Sequence, residues 1–159
     1  MTNWKPNGWT GTVSPYMIVK NASAAIEYYK KAFDAQEKDR MAGPDGKIMH
    51  CELKIGETVI MIADEFPERG CVSPQTLKGT PITLFMYVPD VDKTFERATA
   101  AGAKVEMPVA DMFWGDRYGT VVDPFGHKWS IATHKEDVSP EEMKKRSEAF
   151  HKQMAGAHK

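Results

Sequence analysis

One order of secondary-structure signals occurs twice along this chain, and that repeat limits the possible folds more than any single motif. Residues 13–19 are β-rich and short enough for a strand. Asn21 and Ser23 are both N-cap types, and Ala25, Ile26, Tyr29, Ala32 and Phe33 then fall at helical spacing. Glu27, Lys30 and Lys31 lie on the opposite helix face. Residues 37–40 form a short polar stretch, read as an edge strand. Gly43-Pro44-Asp45-Gly46 is a turn, because proline presets φ and glycine permits positive φ. Residues 47–55 alternate, with Met49, Cys51, Leu53 and Ile55 on one face and Ile48, His50, Glu52 and Lys54 on the other. A Gly56-Glu57 turn leads into a strand over 58–63. The first half therefore reads strand, helix, strand, strand, strand.

Residues 64–81 carry Pro67, Gly70, Pro74, Gly79 and Pro81 without periodicity and read as a connector. The second half repeats the order. Residues 82–88 are β-rich, Asp90 is an N-cap type, and Val91, Phe95, Ala98 and Ala101 follow at helical spacing, with Gly102 suited to the helix end. Strands over 104–109, 117–122 and 127–133 follow, the last two joined by an Asp123-Pro124-Phe125-Gly126 turn. Ser139-Pro140-Glu141-Glu142 then opens a final helix: serine at the cap, proline at the first position, glutamate at the third. Met143, Ser147, Phe150 and Met154 line one stripe of it, to lie on the protein's own body or on a partner subunit. The expected architecture is α+β: two βαβββ modules over 12–64 and 82–135, a connector over 65–81 and a C-terminal helix over 139–152.

Composition excludes several classes. Lys plus Arg is 21 against 22 for Asp plus Glu, so no bulk field favours nucleic acid or an anionic membrane. The lysines at 144, 145 and 152 are offset by Glu141, Glu142 and Glu148. No apolar run approaches the ~20 residues of a spanning helix, and residues 1–11 hold no signal-peptide core. Two cysteines, Cys51 and Cys71, make neither a disulfide framework nor an all-cysteine zinc site; they read as reduced thiols in a cytoplasmic protein. A catalytic triad spacing, a phosphate-binding glycine loop and a dinucleotide fingerprint are all missing.

Together with the doubled βαβββ order, three segments carry a resemblance: residues 25–33 (AIEYYKKAF), 114–119 (WGDRYG) and 123–129 (DPFGHKW). They resemble the vicinal oxygen chelate superfamily of glyoxalase I, extradiol dioxygenases and bleomycin-resistance proteins, and within it the PhnB-like subgroup. The similarity spans roughly residues 12–135, and the tail is similar to an extension in that subgroup. The resemblance implies a homodimer and, in each module, a sheet curled around a cleft with helices behind. Strand alternation then assigns Ser14, Tyr16, Ile18, His50, Glu52, Thr83, Phe85, Tyr87, Lys128, Ser130 and Ala132 to the cleft side.

Metal-dependent members hold an ion with His, Gln or Glu at four positions, which correspond here to Ser14, Met61, Thr83 and Ser130. Their immediate neighbours are no better as ligands. Hydroxyls and a thioether make a poor zinc, nickel or iron site. The resemblance therefore does not bring metal-dependent glyoxalase or dioxygenase chemistry to this chain, and no cofactor is expected. A displaced metal site would need His50 and Glu52 plus a third ligand from His127, His134 or Asp116.

Two functions lead, and a third, a structural interaction module, has only the tail stripe in its favour. One is a cleft that binds a small aromatic or anionic molecule through Tyr16, Phe85, Tyr87, Trp114 and Arg117. Trp114 would lid the cleft, and Arg117 would pair with an anion through its planar fork. The other is a lyase or isomerase in which His50 moves a proton and Glu52 orients it. Each residue also has a structural reading: Tyr16, Phe85 and Tyr87 as core, Asp116 and Arg117 as a paired hairpin shoulder, and His50 as a half-buried hydrogen-bonded side chain. His127 reads as structural, Trp129 as packed behind the sheet, Cys51 as inert and Cys71 as exposed.

Overall fold

Side-chain oxygens fix where each helix begins. In the computed structural model, which describes residues 4–7 and 9–156, β1 (Tyr16–Val19) leads into α1 (Ala22–Phe33). The Asn21 side chain accepts from the Ala24 amide, the standard use of an asparagine cap. Buried Asp64 accepts from the Ala22 amide at 2.9 Å and the Ile48 amide at 2.7 Å, tying the helix start to the first sheet. β2 (Gln36–Ala42), β3 (Ile48–Ile55) and β4 (Thr58–Asp64) complete that sheet in the order β1-β4-β3-β2, with β1 parallel to β4. The connector holds a 3₁₀ turn (Pro67–Arg69) and a short α2 (Pro74–Leu77). Ser73 caps α2 and Pro74 opens it, a pairing visible in the sequence although the stretch has no periodicity.

The second half runs β5 (Thr83–Tyr87), α3 (Val91–Ala100), β6 (Lys104–Asp111), β7 (Asp116–Val122) and β8 (Lys128–His134). Its sheet order is β5-β8-β7-β6, the same pattern as the first, and Asp90 caps α3 through the Lys93 amide. The doubled βαβββ order is thus present as expected. α4 (Pro140–Gly156) follows, with the Ser139 hydroxyl accepting from the Glu142 amide. Its Phe150 ring lies 5.3 Å from Phe113 and its Arg146 pairs with Glu136, so the helix docks on its own chain. The Met154 side chain of the expected stripe lies outside the described residues. Among the described residues no helix is long and apolar enough to cross a membrane.

The two halves share one core through their helices. Tyr29 and Phe33 of α1 meet Trp129 of β8 at 5.5 and 4.6 Å between ring centroids, and Tyr28 meets Phe125 at 6.0 Å. Buried Asp123, from the turn between β7 and β8, accepts from the Tyr29 hydroxyl at 2.6 Å and the Trp129 indole at 2.9 Å. It also accepts from the amides of Phe125 and His127, both at 2.9 Å. α1 packs against α3, and each packs on its own sheet. The other face of each sheet is therefore turned away from the shared helical layer.

Strand alternation predicts most of this. Met17, Val19, Cys51, Leu53, Trp129 and Ile131 are buried on the helix side, and Tyr16, His50 and Glu52 face outward. Met49 departs from the expectation. A bulge opposite Met41 and Ala42 shifts the register, so Ile48 enters the core and Met49 borders a hollow beside Tyr16 and Ile18.

Candidate functional site

The outward face of the second sheet carries a run of aromatic rings over a hydroxyl cluster. Phe85 and Tyr87 of β5 are 52% and 63% exposed, with ring centroids 5.1 Å apart. Phe85 stacks on Tyr118 of β7 at 5.9 Å, Trp114 meets Tyr118 edge-on at 5.7 Å, and Phe113 meets Trp114 at 5.1 Å. Beneath them the Tyr118 and Ser130 hydroxyls lie 2.7 Å apart, and the Thr120 hydroxyl donates to Tyr118 at 3.0 Å. Offset and edge-on rings give a flat molecule both stacking and edge contacts.

Asp116 closes one end of this face and is almost fully buried. It accepts from the Tyr87 hydroxyl at 3.0 Å, the Trp114 indole at 3.1 Å and His134 Nδ1 at 2.9 Å. The Asp116 hydrogen bond raises the Tyr87 phenol above its ordinary value. The sequence offers Asp116 as a partner for Arg117 or as a third ligand of a displaced metal site. The signal for its real place is the alternation of β7, which sets Asp116, Tyr118 and Thr120 on one face and Arg117 on the other.

On the first sheet, Tyr16, His50, Glu52 and Met61 come together. The Tyr16 hydroxyl lies 3.2 Å from His50 Nδ1 and donates to the Met49 carbonyl oxygen at 3.4 Å. His50 Nε2 lies 3.7 Å from Glu52 Oε1, and Met61 stands between Tyr16 and Glu52 in register. Partial burial raises the Tyr16 phenol, with a smaller contribution from Cys71.

Six of the seven sequence-derived site residues thus gather into two sets on separate sheets: Tyr16, His50 and Glu52 on one; Phe85, Tyr87 and Trp114 on the other. Arg117 does not join either set. It points to the helix side, where Asp92 of α3 takes Nε and Nη2 at 2.7 Å each and Asp111 takes Nη1 at 3.2 Å. Its planar fork is filled by the protein's own carboxylates, and it has no pairing with Asp116.

The four family metal positions do not fit an ion. Ser14 and Met61 belong to the first half and Thr83 and Ser130 to the second, and the Ser130 hydroxyl is already in the Tyr118 cluster. Hydroxyl and thioether donors supply neither imidazole nor carboxylate. Among the described residues no group of three or more His, Cys, Asp or Glu side chains is placed to hold a metal. The residues considered for a displaced set are scattered: His50 and Glu52 on the first sheet, Asp116 and His134 on the second, and His127 Nε2 at 3.1 Å from the Ile18 carbonyl oxygen.

Comparison with known proteins agrees with the doubled fold. The Glyoxalase/Bleomycin resistance protein/Dioxygenase superfamily model matches residues 11–131. The chain belongs to this superfamily. The Mycobacterium tuberculosis protein Rv0887c is 44% identical over 134 residues, covering 82% of this chain and 79% of that protein. Among solved structures, TioX from Micromonospora sp. ML1 is 27% identical with a TM-score of 0.63, covering 79% of this chain and 99% of TioX. The PhnB protein from Bacillus cereus shares the fold at 15% identity and a TM-score of 0.62, covering 77% of this chain and 99% of its own. The superfamily hosts several chemistries on one scaffold, so function is argued from the site.

Proposed function

We propose that this protein binds a small aromatic organic molecule on the outward faces of its sheets, without the metal ion used by the superfamily's lyases and dioxygenases, and that it sequesters rather than transforms it. The anionic ligand expected with Arg117 is not proposed, since Asp92 and Asp111 occupy that guanidinium. The observation that carries this reading is the run of exposed Phe85 and Tyr87 with half-buried Tyr118 and Trp114, above the Ser130 hydroxyl. Aromatic walls with a few fixed polar groups are the lining of a small-molecule site, and the cleft itself is completed by the face of a two-fold partner. Ser130 occupies a position where metal-dependent relatives carry a ligand, so hydrogen bonding replaces coordination at that point.

The same reading makes the protein a homodimer. Tyr16, Phe85 and Tyr87 are all at least half exposed, more aromatic surface than a solitary chain ordinarily leaves to water. A two-fold partner that sets the Tyr16 face of one protomer against the Phe85 face of the other covers both and makes two equal clefts. The proposed setting is the cytoplasm, where Cys51 and Cys71 stay reduced.

A thermal-shift screen of small aromatic compounds in the presence of chelator tests the proposal. A ligand at a hundredfold excess over Kd stabilises by about 2.7 kcal/mol, or about 5–10 °C for a chain of this size. Phe85→Ala abolishes that shift. Hits that appear only with added divalent metal, or that survive Phe85→Ala, overturn it. One observation favours the enzymatic reading: His50 sits between the Tyr16 hydroxyl and Glu52, as a proton-transfer group would. On that reading His50→Ala ends turnover while leaving binding intact.

A further inference from the structure

The end of the second-sheet face is held by an imidazole with a carboxylate on each side. His134, the last residue of β8, places Nδ1 at 2.9 Å from Asp116 Oδ1 and Nε2 at 3.1 Å from Asp137 Oδ1. An ionised carboxylate only accepts hydrogen bonds, so an imidazole that satisfies both must donate from both nitrogens, and only the imidazolium does so. Asp116 is also the acceptor for the Trp114 indole and the Tyr87 hydroxyl, two walls of the candidate site.

The far side of the bridge reaches the tail. The Lys135 and Glu136 amides both donate to the Gly115 carbonyl oxygen, and Glu136 pairs with Arg146 of α4. Gly115 has φ +100°, and a Cβ there would stand 2.3 Å from the Glu136 carbonyl oxygen, so the segment lies directly on the Trp114 turn.

We propose that His134, bridging Asp116 and Asp137 through both ring nitrogens, is a positioning residue that makes the setting of the Trp114 and Tyr87 wall depend on pH. The charged and titratable groups around it are Asp116 on β7, Asp137 in the segment beyond β8, and Tyr87 on β5; Glu136 is engaged by Arg146. The Asp116 bond, and then the Asp137 bond, raise His134 above the ordinary histidine value. The bridge is therefore complete below about pH 6.5 and is lost as pH rises through that raised value. On deprotonation His134 keeps one N–H, and one carboxylate loses its donor.

Indole ¹H–¹⁵N spectra of the full chain from pH 5.5 to 9 test this without any ligand. Trp129 serves as the internal control, because its indole donates to Asp123, whose donors include no imidazole. The Trp114 signal moves with a midpoint above 6.5 while Trp129 stays still. In His134→Gln the Trp114 step disappears with the Trp129 signal unchanged. In Asp137→Asn the step remains and its midpoint falls. A Trp114 step that survives His134→Gln, a wild-type signal with no step, or an unmoved midpoint in Asp137→Asn overturns the proposal. The consequence for a bound molecule rests on the ligand role proposed for this face; the titration does not, so the two claims fail separately.

Discussion

Replacing Asp123 with asparagine should be among the most damaging single-atom changes in this protein. The carboxylate is buried and surrounded by four donors: the Tyr29 hydroxyl, the Trp129 indole and the amides of Phe125 and His127. Asparagine keeps one acceptor oxygen and puts an NH₂ group against donors that need an acceptor. A buried donor left unpaired costs about 1–3 kcal/mol, and hydrogen bonds to a charged acceptor lie at the upper end of the usual range. With the Trp129 indole unpaired and the remaining bonds weakened, Asp123→Asn should cost about 3 kcal/mol. Tyr29→Phe removes one donor and leaves Asp123 with three, so it should cost about 1.5 kcal/mol. The double variant should fall short of the sum by about 1 kcal/mol, since both changes remove the same bond. Urea unfolding measures all three. With a slope of about 2 kcal/mol/M, the Asp123→Asn midpoint should drop by about 1.5 M. An Asp123→Asn midpoint within about 0.25 M of wild type, or strict additivity in the double variant, would refute the reasoning.

Three further outcomes follow from the same contacts. Gly115→Ala places a Cβ against the Glu136 carbonyl oxygen at a positive φ and should cost about 3 kcal/mol, read as a lowered Tm. Burial pushes the Cys51 thiol up to about 11, so at pH 8 a thiol reagent should label Cys71 and leave Cys51 unmodified until denaturant is added. Zinc, nickel or ferrous ion at tenfold excess should leave Tm unchanged, because Ser14, Met61, Thr83 and Ser130 offer no imidazole or carboxylate; a rise of several degrees contradicts this.

The fold was legible because the repeat sets element order and strand alternation sets faces. Cys51 and Leu53 went inward and His50 and Glu52 outward for that reason alone. Alternation failed at Met49, where a bulge inserts a residue that no local pattern announces. Alternation holds at β7, where Tyr118 on the open face sends Arg117 to the helices. The Asp116 and Asp123 hubs were harder to foresee. Each collects donors from elements far apart in sequence, such as Tyr29 with Asp123 and Tyr87 with Asp116, and a single chain records no such pairing. The division of the site residues between two sheets follows from the repeat, which puts Tyr16, His50 and Glu52 in the first module and Phe85, Tyr87 and Trp114 in the second; what element order leaves open is the packing of α1 on α3.

The central claim is that the aromatic face binds a small organic molecule with no metal in attendance. Equilibrium binding of a screening hit to chelator-treated protein tests it most directly, with wild type compared against Phe85→Ala. Saturable binding by the metal-free wild type, weakened at least tenfold by Phe85→Ala, is the predicted result. Binding that appears only on adding stoichiometric divalent metal would contradict it.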